Sequence, residues 1–220
     1  MSDSTTSKEK ILKKIRKALI HKSLQEIGDV NTDADIFTSS EDPLELQFAQ
    51  NFVKINGKFV FCEDENDFLQ NLSSIVKDNK WEDLFCLEPE IKSLLKKASI
   101  PFSDQEDQLL NANIGLTFCE CLIARTGSVI ISSKQASGRR LPVYSNYHIV
   151  IAYTSQLFLH VKDGLKHIRE KYNNQLPSMI ATITGPSRTA DIEKTLVQGA
   201  HGPKEIFVFL IDNTPLESNS

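Results

Sequence analysis

The 220-residue chain lacks the residue patterns of a metal centre, a membrane span or a phosphate-binding glycine loop. Its four cysteines, Cys62, Cys86, Cys119 and Cys121, show no paired ligand spacing. Cys119-Glu120-Cys121 is a single C-x-C, too little for a four-thiolate zinc or iron–sulfur site. In a strand those two thiols would share a face, which leaves a local ligand pair open. Burial as structural thiols is the stronger reading, because free cysteine is among the most buried residue types. With five histidines and no H-x-x-x-H, no intrinsic metal is expected. No G-x-x-x-x-G-K-[ST] occurs, and no G-x-G-x-x-G opens a helix, which excludes a P-loop and a dinucleotide fingerprint. No apolar run approaches about 18 residues and no signal-peptide pattern is present, so a soluble cytoplasmic protein is expected. Repeats, low-complexity segments and a DNA-binding module are likewise missing.

What is present is enough apolar sequence, 40% of residues, for one substantial core. A net charge of −4 argues against general nucleic-acid or membrane binding. Lys8 to Leu19 reads as a helix with Ile11, Leu12, Ile15, Ala18 and Leu19 on one face. Its Lys10, Lys13, Lys14, Arg16 and Lys17 form a solvated face, since no aromatic residue accompanies them for base stacking. Residues 1–42 are thus an N-terminal helix with a polar linker, and residues 43–220 form the main domain. From Pro43 helical and strand patterns alternate. Leu44 to Ile55 is a helix, Lys58 to Cys62 a strand, Asp64 to Asp78 a helix, a short strand lies within Trp81 to Leu87, and a helix starts at Pro89. Ile114 to Thr117 reads as a strand end, Val129 to Ser132 as a strand, His148 to Tyr153 as a buried strand and Leu157 to Tyr172 as a helix. This rhythm predicts an α/β fold, a mostly parallel sheet with helices on both faces.

Met179 to Asp212 reads as one strand–loop–helix–strand unit. Met179 to Thr184 favours a strand, Gly185-Pro186-Ser187-Arg188-Thr189 breaks it, and Ala190 to Gln198 spans about two helical turns with Thr189 as N-cap. Gly199 ends that helix, and Ile206 to Asp212 is a buried parallel strand. A loop that opens a helix beyond a strand's carboxyl end is where open α/β sheets bind ligands. Orphan amides and the helix dipole there favour an anion by roughly 0.3–1 kcal/mol. Arg188 would add a charge-assisted contact of roughly 1.5–3 kcal/mol, and Ser187 and Thr189 would donate hydroxyls. In the alternative reading Ser187 and Thr189 only cap the helix and Arg188 pairs with a carboxylate.

The residues that carry these elements resemble a known family, the LUD-domain proteins, and within it the lactate-utilization group. The resemblance rests on Ile183-Thr-Gly-Pro-Ser-Arg-Thr-Ala-Asp-Ile-Glu193 together with Gly199-Ala-His-Gly-Pro-Lys-Glu205 and Phe207 to Asp212. Ile114-Gly-Leu-Thr117, Ile123-Ala-Arg-Thr-Gly-Ser128, Arg140-Leu-Pro142, His148-Ile149 and the N-terminal helix support it. It implies a fold like that of the isomerase and CoA-transferase group (NagB/RpiA-like), and makes residues 43–220 the LUD domain. It also implies a part in oxidising L-lactate to pyruvate beside partner proteins that carry iron–sulfur clusters. Arg125 departs from the family, which is often acidic there; it either joins Arg188 on an anion or faces solvent.

Thr126, Gly127, Ser128, Gly185, Ser187, Arg188 and Thr189 are therefore the expected residues of a carboxylate or phosphate site. For Gly127, Gly185 and Gly202 backbone turns are the simpler role. His201 is not automatically near Arg188, because strand-to-helix and helix-to-strand loops normally lie on opposite sheet edges. Arg139 and Arg140 would clamp a carboxylate only if their loop folds over the pocket. Glu120 would act as a general base only if buried, and His148 is a core histidine. The expected function is a non-redox, anion-binding or organising component of a lactate-oxidising system. The alternative is a free-standing isomerase or CoA-transferase-like enzyme acting on a phosphorylated or CoA-linked substrate.

Overall fold

The computed structural model of the chain describes residues 42–189, 197–199 and 202–214. The expected N-terminal helix with most of its linker, residues 190–196 of the expected 190–198 helix and His201 lie outside the described residues.

Helix α1 (Leu44–Lys54) precedes β1 (Lys58–Cys62), and α2 (Glu65–Asp78) leads to β2 (Leu84–Cys86). The start of α2 is set by Asp64, whose carboxylate accepts from the amides of Asn66 and Asp67 at 2.7 and 2.8 Å. Helix α3 (Pro89–Lys97) has proline in its first turn, where the missing N–H costs nothing. Then come β3 (Ile114–Phe118), β4 (Cys121–Ile123), β5 (Ser128–Ser132), the short α4 (Leu141–Tyr144) and β6 (Tyr147–Tyr153). The chain continues through β7 (Leu157–Phe158), α5 (Val161–Lys171), β8 (Ile180–Ile183), β9 (Arg188–Thr189), β10 (Val197–Gln198) and β11 (Glu205–Ile211).

Five strands form a wholly parallel sheet in the order β1-β11-β6-β3-β2. Its central strands are apolar on both faces, so each face requires its own cover. Alternate residues of β11 show the division. Phe207, Phe209 and Ile211 enter one core with Phe68 and Leu72 of α2 and Ile91 and Leu95 of α3. Ile206, Val208 and Leu210 enter a second core with Phe48 and Phe52 of α1 and Leu122, Val129 and Ile131. The second face is thus covered by one helix and by a four-stranded sheet of order β7-β4-β5-β8, rather than by helices alone as the rhythm predicts. Strand β5 serves two cores, because Ile130 points outward to Cys121, Ile123 and Ile168 of α5.

Two expectations change. Leu157 and Phe158 form a strand beside β4, so the expected Leu157–Tyr172 helix begins at Val161. Met179–Asp212 is not one strand–helix–strand unit: β8 pairs antiparallel with β5 in the second sheet, whereas β11 lies in the first. Burial distinguishes them, since β8 is half exposed and β11 is buried from Ile206 to Ile211. Val197 and Gln198, expected to end a helix, pair antiparallel with Thr189 and Arg188.

Phe209 is fully buried and meets the Phe68 ring edge-on at 5.3 Å, whereas Phe61 on edge strand β1 is 45% exposed. Phe209→Ala is expected to cost about 3–5 kcal/mol and Phe61→Ala under about 1 kcal/mol, measured by urea unfolding of the two variants.

Candidate functional site

The two glycine-centred elements named by the sequence meet at one end of the β5–β8 pair. Ser128 Oγ donates to Thr126 Oγ1 at 2.8 Å and shares a 2.9 Å hydrogen bond with Thr184 Oγ1. Helix α1 runs into both turns. A Cβ on Gly127, where φ is +61°, would lie 2.5 Å from the Phe52 amide nitrogen, and one on Gly185, φ +83°, 2.5 Å from the Ile55 carbonyl oxygen. Asn51 closes the same contact, its Nδ2 donating to the carbonyls of Ala124 and Arg125 at 2.9 and 3.2 Å. Close helix approach therefore accounts for glycine at 127 and 185, without a ligand.

Ser187 draws in the other motif. Its amide donates to the Pro203 carbonyl at 2.8 Å and its carbonyl accepts from the Gly199 amide at 3.0 Å. Its side chain is the nearest neighbour of a Cβ built on Gly202. The loops expected on opposite sheet edges are therefore side by side, because β8 is not in the sheet that β11 belongs to. Together with Arg139 they line a cleft of about 290 Å³. Thr182, Thr184 and Ser187 supply hydroxyls, Gly185 and Gly202 supply backbone, and Ile131, Val143 and Met179 supply an apolar wall. Arg139 donates to Ser178 Oγ at 2.6 Å. Arg188 is exposed on β9 and does not line this cleft; neither do Thr126, Gly127 and Ser128. Arg139, which the sequence left as a conditional candidate, is the cation among the described residues that line the cleft.

A larger cleft, about 960 Å³, opens at the carboxyl ends of β2, β3 and β6. Glu88, at the start of α3, lines it while 4% exposed. Burial pushes its carboxyl above the usual glutamate range, more than the hydrogen bonds from Ser137 lower it. Behind the opposite wall lies Glu120, fully buried and accepting from Lys171 Nζ at 2.7 Å, Tyr172 OH at 2.8 Å and the Ser132 hydroxyl. Burial raises the Glu120 carboxyl, but the bonds from Lys171, Ser132 and Tyr172 together outweigh it and hold it below the usual range. Glu120 is thus an ionised anchor with all its neighbours engaged. Glu88, which the sequence gave no reason to single out, is the buried carboxyl whose proton affinity burial raises.

The four cysteines are free and buried. Cys119 packs in the core beneath α1 and Cys121 in the core beneath α5, so the C-x-C does not present two thiols on one face. His148 is fully buried, its Nε2 2.8 Å from Thr117 Oγ1, and burial lowers it to about 4. Among the described residues no group of three or more His, Cys, Asp or Glu side chains is arranged to hold a metal. No described helix is long and apolar enough to cross a membrane.

Comparison with known proteins places this geometry in context. The sequence model of the LUD domain matches residues 46–211. Lactate utilization protein C of Shouchella clausii is 30% identical over 165 residues, covering 72% of this chain and 71% of that protein. Lactate utilization protein C of Geobacillus thermodenitrificans is 29% identical over 186 residues, covering 83% and 74%. A DUF162 family protein of Deinococcus radiodurans, known as a crystal structure, superposes with a TM-score of 0.58 at 16% identity, over 79% of this chain and 99% of that one. That likeness shows a shared fold.

The two carboxyls give opposite pH signatures. Glu88 holds its proton more tightly folded than unfolded, so its contribution falls as pH rises through the interval above the usual glutamate range. Glu88→Gln is expected to raise the melting temperature at pH 8 and to change it little at pH 4. Glu120 binds its proton less tightly folded, so its contribution is present above the usual range and is lost as pH falls through its lowered value. Lys171→Met strands Glu120 and is expected to cost about 2–3 kcal/mol at pH 7, below the cost of a fully sealed pair because the Lys171 side chain is 44% exposed. That deficit shrinks on acidification, as a pH series of urea unfolding will show.

Proposed function

The chain belongs to the LUD-domain family, and we propose on that premise that it serves lactate utilization in the cytoplasm as an anion-binding or organising component. In this reading it carries no redox centre itself. Oxidation of L-lactate to pyruvate releases two electrons and two protons; iron–sulfur clusters on partner proteins would take the electrons and water the protons. The names of the Shouchella and Geobacillus relatives support the lactate part of the reading. The observation that carries the anion part is the convergence of Arg139, Ser187 and Gly202 around the smaller cleft. A guanidinium suits a carboxylate, the hydroxyls of Thr182, Thr184 and Ser187 suit a 2-hydroxyl or 2-oxo group, and the apolar wall suits a methyl group. Arg188, exposed on β9 next to Ser187, is a second cation available to a ligand that extends out of the cleft.

Calorimetric titration with pyruvate tests the assignment. Loss of a charge-assisted contact worth about 1.5–3 kcal/mol makes Arg139→Ala weaken binding by about tenfold or more. Arg188→Ala is expected to change it by under about threefold, as for an exposed charge. Equal affinities of wild type and Arg139→Ala would remove the carboxylate site. Affinity purification of the tagged protein from lactate-grown cells, with visible absorption and lactate-dependent dye reduction, tests the partners. Co-purified iron–sulfur proteins with that activity are the expected outcome.

A further inference from the structure

The larger cleft has no role in the reading above. It stands where open parallel sheets bind ligands, beyond the carboxyl ends of adjacent strands, and it is over three times the volume of the smaller one. Three sets of groups line it. Phe118 and Tyr153, at the ends of β3 and β6, stack with ring centroids 6.2 Å apart and an interplanar angle of 29°. Lys97 and Lys134 contribute exposed ammonium groups, and among the described residues neither makes an ion pair. Lys171 is different, since Glu120 neutralises it. Glu65 and Glu90 are exposed carboxylates at the rim, and Glu65 accepts from Tyr153 OH at 3.2 Å.

Each set matches one part of a ligand. Partly buried aromatic rings offer a stacking face to a planar ring, free ammonium groups pair with a phosphate, and rim carboxylates accept from vicinal hydroxyls. Side-chain bonds tie the wall together: Gln135 Nε2 donates to the Phe118 carbonyl at 2.6 Å and Gln156 Nε2 to the Cys119 carbonyl at 2.8 Å. We propose that the cleft between α3, the β3 and β6 ends and the 134–136 turn binds a nucleoside phosphate, with the base at Phe118 and Tyr153 and the phosphate at Lys97 and Lys134. Recognition by lysines and aromatic rings needs no glycine loop, which is consistent with the missing loop fingerprints.

The test titrates the full chain calorimetrically with AMP, adenosine and inorganic phosphate, each to millimolar concentration, and with pyruvate for the smaller cleft. Saturable AMP binding, tighter than that of adenosine or phosphate alone, is expected. Lys97→Met combined with Lys134→Met, both at exposed positions, should weaken AMP by about tenfold while leaving adenosine unchanged. Phe118→Leu should weaken AMP and adenosine alike, by about fivefold or more. Pyruvate affinity should not change in any of these variants. Absence of saturable AMP binding, AMP no tighter than phosphate, AMP affinity unaltered by the double lysine change, or displacement of AMP by pyruvate would each overturn the proposal. A chain that binds AMP but not pyruvate would keep this site and remove only the smaller one.

Discussion

Two residues, Cys119 and Glu120, separate β3 of the parallel sheet from β4 of the second sheet, so the two sheets can stack only if this link is held in place. Glu120 holds it. Its amide donates to the Ile130 carbonyl at 2.8 Å, and its carboxylate, sealed from water, gathers Ser132 from the end of β5 and Lys171 and Tyr172 from the end of α5. An ionised carboxylate without water is costly unless every acceptor site is used, and that requirement fixes three elements around one atom group. The neighbouring carbonyls are taken by Gln135 and Gln156. The larger cleft inherits its wall from this arrangement, so one interaction shapes both the sheet stacking and the space beside it.

The two clefts differ in how they are made. The larger follows from topology, because adjacent parallel strands end together and their following segments diverge. The smaller follows from close approach. Pieces far apart in sequence, around Arg139, Ser187 and Gly202, come together because β8 leaves the parallel sheet for the edge of the second one. Helix α1 then packs against the turns at Gly127 and Gly185 so tightly that a side chain at either position would strike its backbone or that of Ile55. Glycine at these positions shapes the frame around the smaller cleft as much as any contact with a ligand would.

Much of the fold was legible in the residues. Strand Lys58–Cys62, the α2 helix, proline at the start of α3 and the buried runs of β6 and β11 follow from periodicity, helix-start chemistry and length. Less was legible of the second sheet. β4 and β7 are only three and two residues long, too short for alternation to register, and Leu157-Phe158 leads straight into a helical pattern. β8 has the composition of a strand, yet composition cannot say which sheet it joins. The candidate residues divide the same way. Ser187 and Gly185 were visible as a motif and lie at the smaller cleft, whereas Arg139 was one arginine of an exposed pair, and Glu88 one of 29 acidic residues.

By itself the sequence determined the family, the parallel sheet and the positions where the backbone must turn, because these depend on local pattern and on a motif long enough to be distinctive. Only the tertiary structure decided that the Glu120 carboxyl is lowered and the Glu88 carboxyl raised, since that depends on which hydrogen-bond donors reach a buried carboxyl in the absence of water. Likewise it brought Ser187 beside Gly202 and placed Arg139, not Arg188, at the cleft. Those neighbours are set by how two sheets stack, and no local pattern carries that information.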